Sequence, residues 1–237
     1  MIEILQAGAT YFNLTLSEDQ LGAFVSYQRE LAAWNEKFNL TRIVEPREVA
    51  VKHFLDSLSL ITVLPELNNP RSIIDVGSGA GFPGIPLKIV RPELSMALLE
   101  STGKKTTFLR HVVETLALTN VAVVTARAEE AGRQAVHREH YDLAVARAVS
   151  RLAVLAEYTL PLVKVGGWVI AQKGQYPVEE IETGERAVRI LGGKIVEVRP
   201  VEVPGLAAER HLVILKKIKP TPKLYPRQPG GPAKDPL

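Results

Sequence analysis

"SIIDVGSGAGFPGIPL", Ser72 to Leu87, decides the fold. Ile73, Ile74 and Val76 make a short β-rich run, and Gly77, Gly79, Gly81 and Gly84 crowd the turn after it. Glycine at the end of a strand lets the backbone approach a ligand closely and leaves N–H groups facing it. Two spacings overlap here. Gly77-x-Gly79-x-Gly81 begins where the strand stops, whereas Gly79-x-Gly81-x-x-Gly84 begins later and matches the dinucleotide pattern.

Downstream, the next β-rich run "MALLE" ends at Glu100, about 20 residues on, where an acidic side chain accepts hydrogen bonds from a ribose. Both S-adenosylmethionine and NAD contain adenosine, so this pair of features serves either. The earlier phase favours S-adenosylmethionine, because it starts where the turn must start. The later phase places Pro83 and Pro86 at a helix opening meant to hold pyrophosphate, and proline removes N–H donors there. A nicotinamide-dependent oxidoreductase stays open as the rival reading, and a noncatalytic RNA-binding module as a second.

Around this core, strand-like runs alternate with helical spacing: "SIIDV", "MALLE", "VAVVTA", "YDLAVA" and "GWVIAQ" are separated by "KKTTFLRHVVETLAL" and "RLAVLAEYTLPLV". Such alternation implies an α/β fold with a parallel sheet covered on both faces. "KIVEVRPVEV" and "RHLVILKKI" follow without a convincing helix between them and predict a closing antiparallel hairpin. Upstream, "LSEDQLGAFVSYQRELAAWNEKF" opens with Ser17 and Gln20 at capping-box spacing and carries Leu21, Phe24, Val25, Leu31 and Phe38 at helical intervals. Pro46 suits the first turn of a further helix bearing Val51, Phe54, Leu55, Leu58 and Ile61 on one stripe.

The 237 residues contain no cysteine, which excludes disulfides, thiolate metal sites and cysteine nucleophiles. The first basic residue is Arg29 and no apolar run suits a membrane helix, so a cytoplasmic protein is expected. Net charge is +3, but the segment from Lys216 carries +5, leaving −2 for the rest. A basic, proline-rich tail of this kind suits a polyanion, or else lies solvated and disordered. Truncation after Lys219 is therefore expected to weaken RNA binding, flatten its salt dependence and leave cofactor binding intact. The five histidines show no metal-ligand spacing, and no metal is expected.

"FNLTRI" (Phe38–Ile43), "HFLDSL" (His53–Leu58), "DVGSGAGFPGIPL", "LLES" followed by "KK", "ARAVSRL" (Ala146–Leu152), "QKG" (Gln172–Gly174), "RHLVILKK" and the terminal "YPRQPGGPAKDPL" occur in this order. The set strongly resembles the ribosomal RNA small subunit methyltransferase G family, also called glucose-inhibited division protein B, over nearly the whole chain. The resemblance implies a class I S-adenosylmethionine-dependent methyltransferase: a Rossmann-like, mostly parallel seven-stranded sheet with a terminal antiparallel hairpin. Residues 1–69 would form a helical extension, 70–219 the methyltransferase domain and 220–237 a basic tail. The implied reaction is methyl transfer from S-adenosylmethionine to N7 of one guanine in the decoding-region loop of 16S rRNA. The implied substrate is that rRNA or the small ribosomal subunit, and the working expectation for the enzyme is a monomer. By position, the cofactor contacts fall on Gly77, Gly79 and Phe82, then Glu100, Ser101 and Thr102, then Ala128 and Glu129, and finally Arg147.

N7 methylation needs no general base, because the N7 lone pair is free at neutral pH, and no acid–base residue is expected. His53, which opens "HFLDSL", and Arg147, which breaks the apolar run "LAVARAV", are candidates for organising the site or substrate. A buried guanidinium needs a partner, and in the purely structural alternative that partner is Glu129 or Asp142. Phe82, Tyr158 and Tyr176 are candidate stacking surfaces for an extruded base. Lys104, Lys105, Arg110, Arg127 and Arg151 are candidate phosphate contacts.

Overall fold

The protein is described by a computed structural model covering residues 1–67, 69–147, 150–174 and 178–237. The N-terminal part is helical. α1 (Ile2–Tyr11) leads into α2 (Glu18–Phe38), and α3 (Pro46–Val49) runs through a π-helical segment, Ala50–Leu55, into α4 (Asp56–Leu58). Ser17 caps α2 as expected: its hydroxyl accepts the Gln20 N–H at 3.2 Å, and the Gln20 amide oxygen accepts the Ser17 N–H at 2.9 Å.

Seven strands follow: β1 (Ser72–Val76), β2 (Ser95–Glu100), β3 (Val121–Thr125), β4 (Tyr141–Arg147), β5 (Val163–Lys173), β6 (Gly193–Pro200) and β7 (His211–Lys217). They form one sheet in the order β3-β2-β1-β4-β5-β7-β6. The first five are parallel, and β7 enters antiparallel between β5 and β6. The strand order reverses between β1 and β4, which is where an open parallel sheet leaves a crevice at its carboxyl edge. The expected hairpin is present, with β7 rather than β6 against the parallel strands.

Side-chain alternation sorts the strands into two cores. Ile73, Leu98, Leu143, Val145, Ile170 and Ile214 pack with the N-terminal helices, α5 (Gly84–Val90) and α6 (Gly103–Thr115). Ile74, Val76, Leu99, Ala144, Val169 and Val213 face the other side, against α8 (Leu152–Thr159). Between β3 and β4 lies the short α7 (Ala128–Ala131). Among the described residues no helix is long and apolar enough to cross a membrane.

One boundary and one helix differ from the sequence reading. The apolar stretch "RLAVLAEYTLPLV" ends as α-helix at Thr159, where Pro161 enters a 3-10 turn, and Val163 already belongs to β5. A helix that the reading passed over, α9 (Val178–Ile190), links β5 to β6 and buries Gly184, Ala187 and Val188. Val178, Ile181, Val188 and Leu191 recur at helical intervals among charged residues, so the periodicity was there to be read.

The C-terminal segment is also more engaged than a solvated tail. Lys217 is fully buried, donating to the Leu160 carbonyl at 2.6 Å and pairing with Glu139 at 3.2 Å. Arg227 pairs with the buried Glu157 at 2.7 Å. Two of the cations behind the +5 count are thus held inside the protein, and a short α10 (Gly231–Lys234) closes the chain.

Candidate active site

At the carboxyl end of β1 the chain turns through Gly77, Gly79 and Gly81, all with positive φ (74°, 60° and 101°). Glycine is demanded most clearly at Gly81, where a Cβ would lie 2.4 Å from Ile85 and 2.6 Å from the Tyr27 hydroxyl. The Gly77 and Ser78 N–H groups bond back to the Leu99 carbonyl, fixing the turn to β2. Gly84 opens α5, and its N–H donates to the buried Asp75 carboxylate at 2.9 Å. Burial pushes Asp75 up to about 7. That bond takes up the amide which the shifted glycine spacing would have offered to a pyrophosphate.

Glu100 lies at the end of β2 with both carboxylate oxygens on backbone: Oε2 accepts the Gly79 N–H at 3.0 Å and Oε1 the Thr102 N–H at 2.8 Å. Each oxygen has a second lone pair for a ligand hydroxyl. The carboxylate therefore ties the glycine turn to the β2 loop, where Ser101 is exposed and Thr102 half-buried. Beside it, Val76, Gly77, Leu99, Ser101, Ala128, Glu129 and Tyr158 contribute to the lining of a cavity of about 110 Å³. Glu129 is only 2% exposed, and its Oε1 accepts the Gly230 N–H at 2.9 Å. Apolar walls, a fixed buried carboxylate and a glycine cradle fit the adenosine part of S-adenosylmethionine.

Phe82 has a different surrounding. Its ring is 5% exposed and stacks on His53 (centroids 4.4 Å apart) and Tyr27 (5.4 Å). That leaves little face for an extruded base. Tyr158 is half-buried at the cavity, and Tyr176 lies outside the described residues.

Arg147, the last residue of β4, reaches over this aromatic stack with its guanidinium carbon 5.0 Å from the Phe82 centroid. It donates to Asp56 Oδ2 at 3.1 Å and to the Lys52 carbonyl at 3.2 Å, and lies 3.3 Å from His53 Nδ1. Its carboxylate partner is therefore Asp56, not Glu129 or Asp142. Asp142 instead accepts the Arg71 and Ser72 N–H groups at 2.9 Å and pairs with Lys164. Asp56 is itself bridged, because its Oδ1 accepts Arg210 Nε at 2.8 Å.

Burial and then the Arg147 charge lower His53 to about 3, so its imidazole is neutral. Nδ1 lies 3.2 Å from the Lys52 carbonyl and 3.3 Å from a guanidinium nitrogen of Arg147, and Nε2 lies 2.9 Å from Thr41 Oγ1. Held at both nitrogens, His53 orients its neighbours. Lys52 and His53 lie in the π-helical segment, a rare geometry often found at functional sites.

Lys52, His53, Asp56, Arg147, Gln172, Lys173, Gly174 and Arg210 line a second cavity of about 380 Å³. It lies at the same carboxyl edge, where the ends of β4 and β5 bring Arg147, Gln172 and Lys173 into its lining. Sequence reading brought forward His53 and Arg147 but assigned no role to Asp56, Gln172 or Arg210. "HFLDSL" and "QKG" were the signals available, because each places a polar residue beside apolar ones. Of the candidate phosphate contacts, Lys104, Arg110, Arg127 and Arg151 are exposed and Lys105 half-buried; Arg110 also donates to Thr125 Oγ1 at 2.8 Å.

Comparison with known proteins adds to this geometry. A model of the GidB family, described as rRNA small subunit methyltransferase G, matches residues 20–213. The chain is 49% identical to a ribosomal RNA small subunit methyltransferase G of Roseiflexus castenholzii over 237 residues, all of both chains. It is 48% identical to the protein of that name from Alkaliphilus metalliredigens over 99% of this chain and 98% of the other. Among solved structures, TrmN from Thermus thermophilus is similar in fold (TM-score 0.53, 16% identity, 71% of this chain and 53% of that one). So is MtNAS in complex with MTA and tNA (TM-score 0.55, 15% identity, 84% and 72%).

Proposed function

Because the chain belongs to the rRNA small subunit methyltransferase G family and is an S-adenosylmethionine-dependent rRNA methyltransferase, we propose that it methylates N7 of one guanine in the decoding-region loop of 16S rRNA, in the cytoplasm. The observation that supports this most is the pairing of two cavities along one sheet edge. One is lined by Gly77 and Glu129; the other is basic and has Arg147 in its lining. Gly77, Gly79, Glu100, Ser101, Thr102, Ala128 and Glu129 hold the cofactor in this reading, and the basic cavity receives the target nucleotide. Phe82 acts by packing the glycine turn against His53.

When bound, the cofactor supplies a methyl group on a sulfonium, already a good leaving group. Guanine N7 needs no deprotonation, so the task of the protein is alignment, which can contribute up to ~7–11 kcal/mol. Asp56 and the Lys52 carbonyl fix the guanidinium of Arg147, leaving further N–H groups of its five to meet guanine O6, the acceptor beside N7. N7 is inaccessible in the deep groove of an A-form helix, so the target enters unpaired.

Incubation with labelled S-adenosylmethionine and small-subunit rRNA, followed by mapping of the label, tests the proposal. The expected product is N7-methylguanine at one position; label on another atom, or none in rRNA, overturns it. Arg147→Ala is expected to slow methylation roughly a hundredfold or more, as for loss of a preorganised donor. Normal cofactor affinity together with normal methylation in that variant would refute the role given to Arg147.

A further inference from the structure

The C-terminal segment grips the elements that wall the first cavity. Arg227 clasps the fully buried Glu157: its backbone N–H lies 2.7 Å from Oε1, its Nε 3.0 Å from Oε1, and a terminal nitrogen 2.7 Å from Oε2. Glu157 is the neighbour of Tyr158 on α8, and Tyr158 lines the cavity. Downstream of α7, Arg138 donates to the Tyr225 and Thr221 carbonyls at 2.8 Å, and Arg133 to the Pro226 carbonyl at 2.8 Å. Gly132 allows Pro226 to approach so closely that a Cβ there would lie 2.9 Å from it. These anchors deliver the Gly230 N–H to Glu129.

We propose that the segment Thr221–Leu237 is a strap that positions Glu129 for S-adenosylmethionine, with the Gly230 amide as the positioning group. The inference rests on the cofactor reading of the first cavity. A side chain as buried as that of Glu129 needs hydrogen bonds to remain oriented, and the Gly230 N–H supplies one. Gly230 has φ 84°, in the left-handed region where glycine is at ease, and that backbone turn presents its N–H to the carboxylate. The strap therefore belongs to the cofactor site rather than serving only as a basic arm for RNA. This reverses the expectation that removing it leaves cofactor binding intact.

Gly230 offers a clean test, because it is exposed and a Cβ there would meet nothing within 4 Å. Substitution costs backbone strain without a steric clash. In the full-length chain, Gly230→Asn, Gly230→Ala and Gly230→Val form a series of falling tolerance for positive φ. Calorimetry should give S-adenosylmethionine affinity near wild type for Gly230→Asn. An intermediate loss is expected for Gly230→Ala, and about a tenfold loss for Gly230→Val, the scale of one charge-assisted hydrogen bond.

In cofactor-free protein, hydrogen exchange at the α7 amides should quicken in the same order, melting temperature should fall by no more than the few degrees the backbone strain costs, and the salt slope of rRNA binding should stay close to wild type. Wild-type affinity in Gly230→Val overturns the strap proposal, as does a loss in all three variants alike. A fall in rRNA salt slope with unchanged cofactor affinity also overturns it. Failure of the wild-type protein itself to bind S-adenosylmethionine would instead refute the cofactor reading.

Discussion

Arg147 and His53 show how a few buried polar groups organise one another. The guanidinium satisfies Asp56 and the Lys52 carbonyl together and lies beside His53, and its charge helps keep the imidazole neutral. This has a consequence for stability. His53 is depressed from 6.5 to about 3 in the folded state, so folded protein binds fewer protons than unfolded protein below pH 6.5. The contribution is fully present above that pH and is lost as pH falls. Between pH 6.5 and 5 the loss is about 2 kcal/mol. Urea denaturation of wild type and His53→Gln at pH 7 and pH 5 should show the variant gaining about that much relative stability at the lower pH. Parallel pH profiles would contradict it.

Helix α2 depends on its first turn for more than its own ends. Its buried face, Leu21, Phe24, Tyr27 and Leu31, covers one side of the sheet, and the Tyr27 hydroxyl donates to the Ala80 carbonyl inside the glycine turn. The capping box fixes where that face begins. Ser17→Ala removes the acceptor for the Gln20 N–H and is expected to cost ~1 kcal/mol in chemical denaturation, with Ser17→Gly costing less. An equal loss in both variants would place the effect outside the cap. At the other end of the site, the π-helical segment between α3 and α4 carries Lys52 and His53, so a change of helical register there displaces both.

For the whole molecule, exposed cations cluster at the carboxyl edge of the sheet, the edge proposed to receive the target nucleotide. Lys104, Arg127 and Arg151 are exposed in or just after the loops that follow β2, β3 and β4, while Lys217 and Arg227 are consumed internally. Phosphate contacts release counterions, so each one adds to the dependence of affinity on salt. Lys104→Ala should weaken rRNA binding and lower the slope of log affinity against log salt by about one. A titration series in potassium chloride measures this, and an unchanged slope removes Lys104 from the interface.

The strand–turn at Ser72–Gly84, Glu100 at the end of β2, the alternating strands and the Ser17 cap were all legible in the chain. Each depends on residues close in sequence, through side-chain period, glycine conformation or capping chemistry. The motifs around them also carried the family. What the chain did not disclose was partnership. Arg147 meets Asp56 across 91 residues, Arg210 meets the same carboxylate across 154, and Gly230 meets Glu129 across 101. A charged residue reads alike whether it is solvated or buried. Only the packing of the N-terminal helices, β7 and the C-terminal strap onto one sheet edge decides which charges are desolvated together, and desolvation is what forces them to pair.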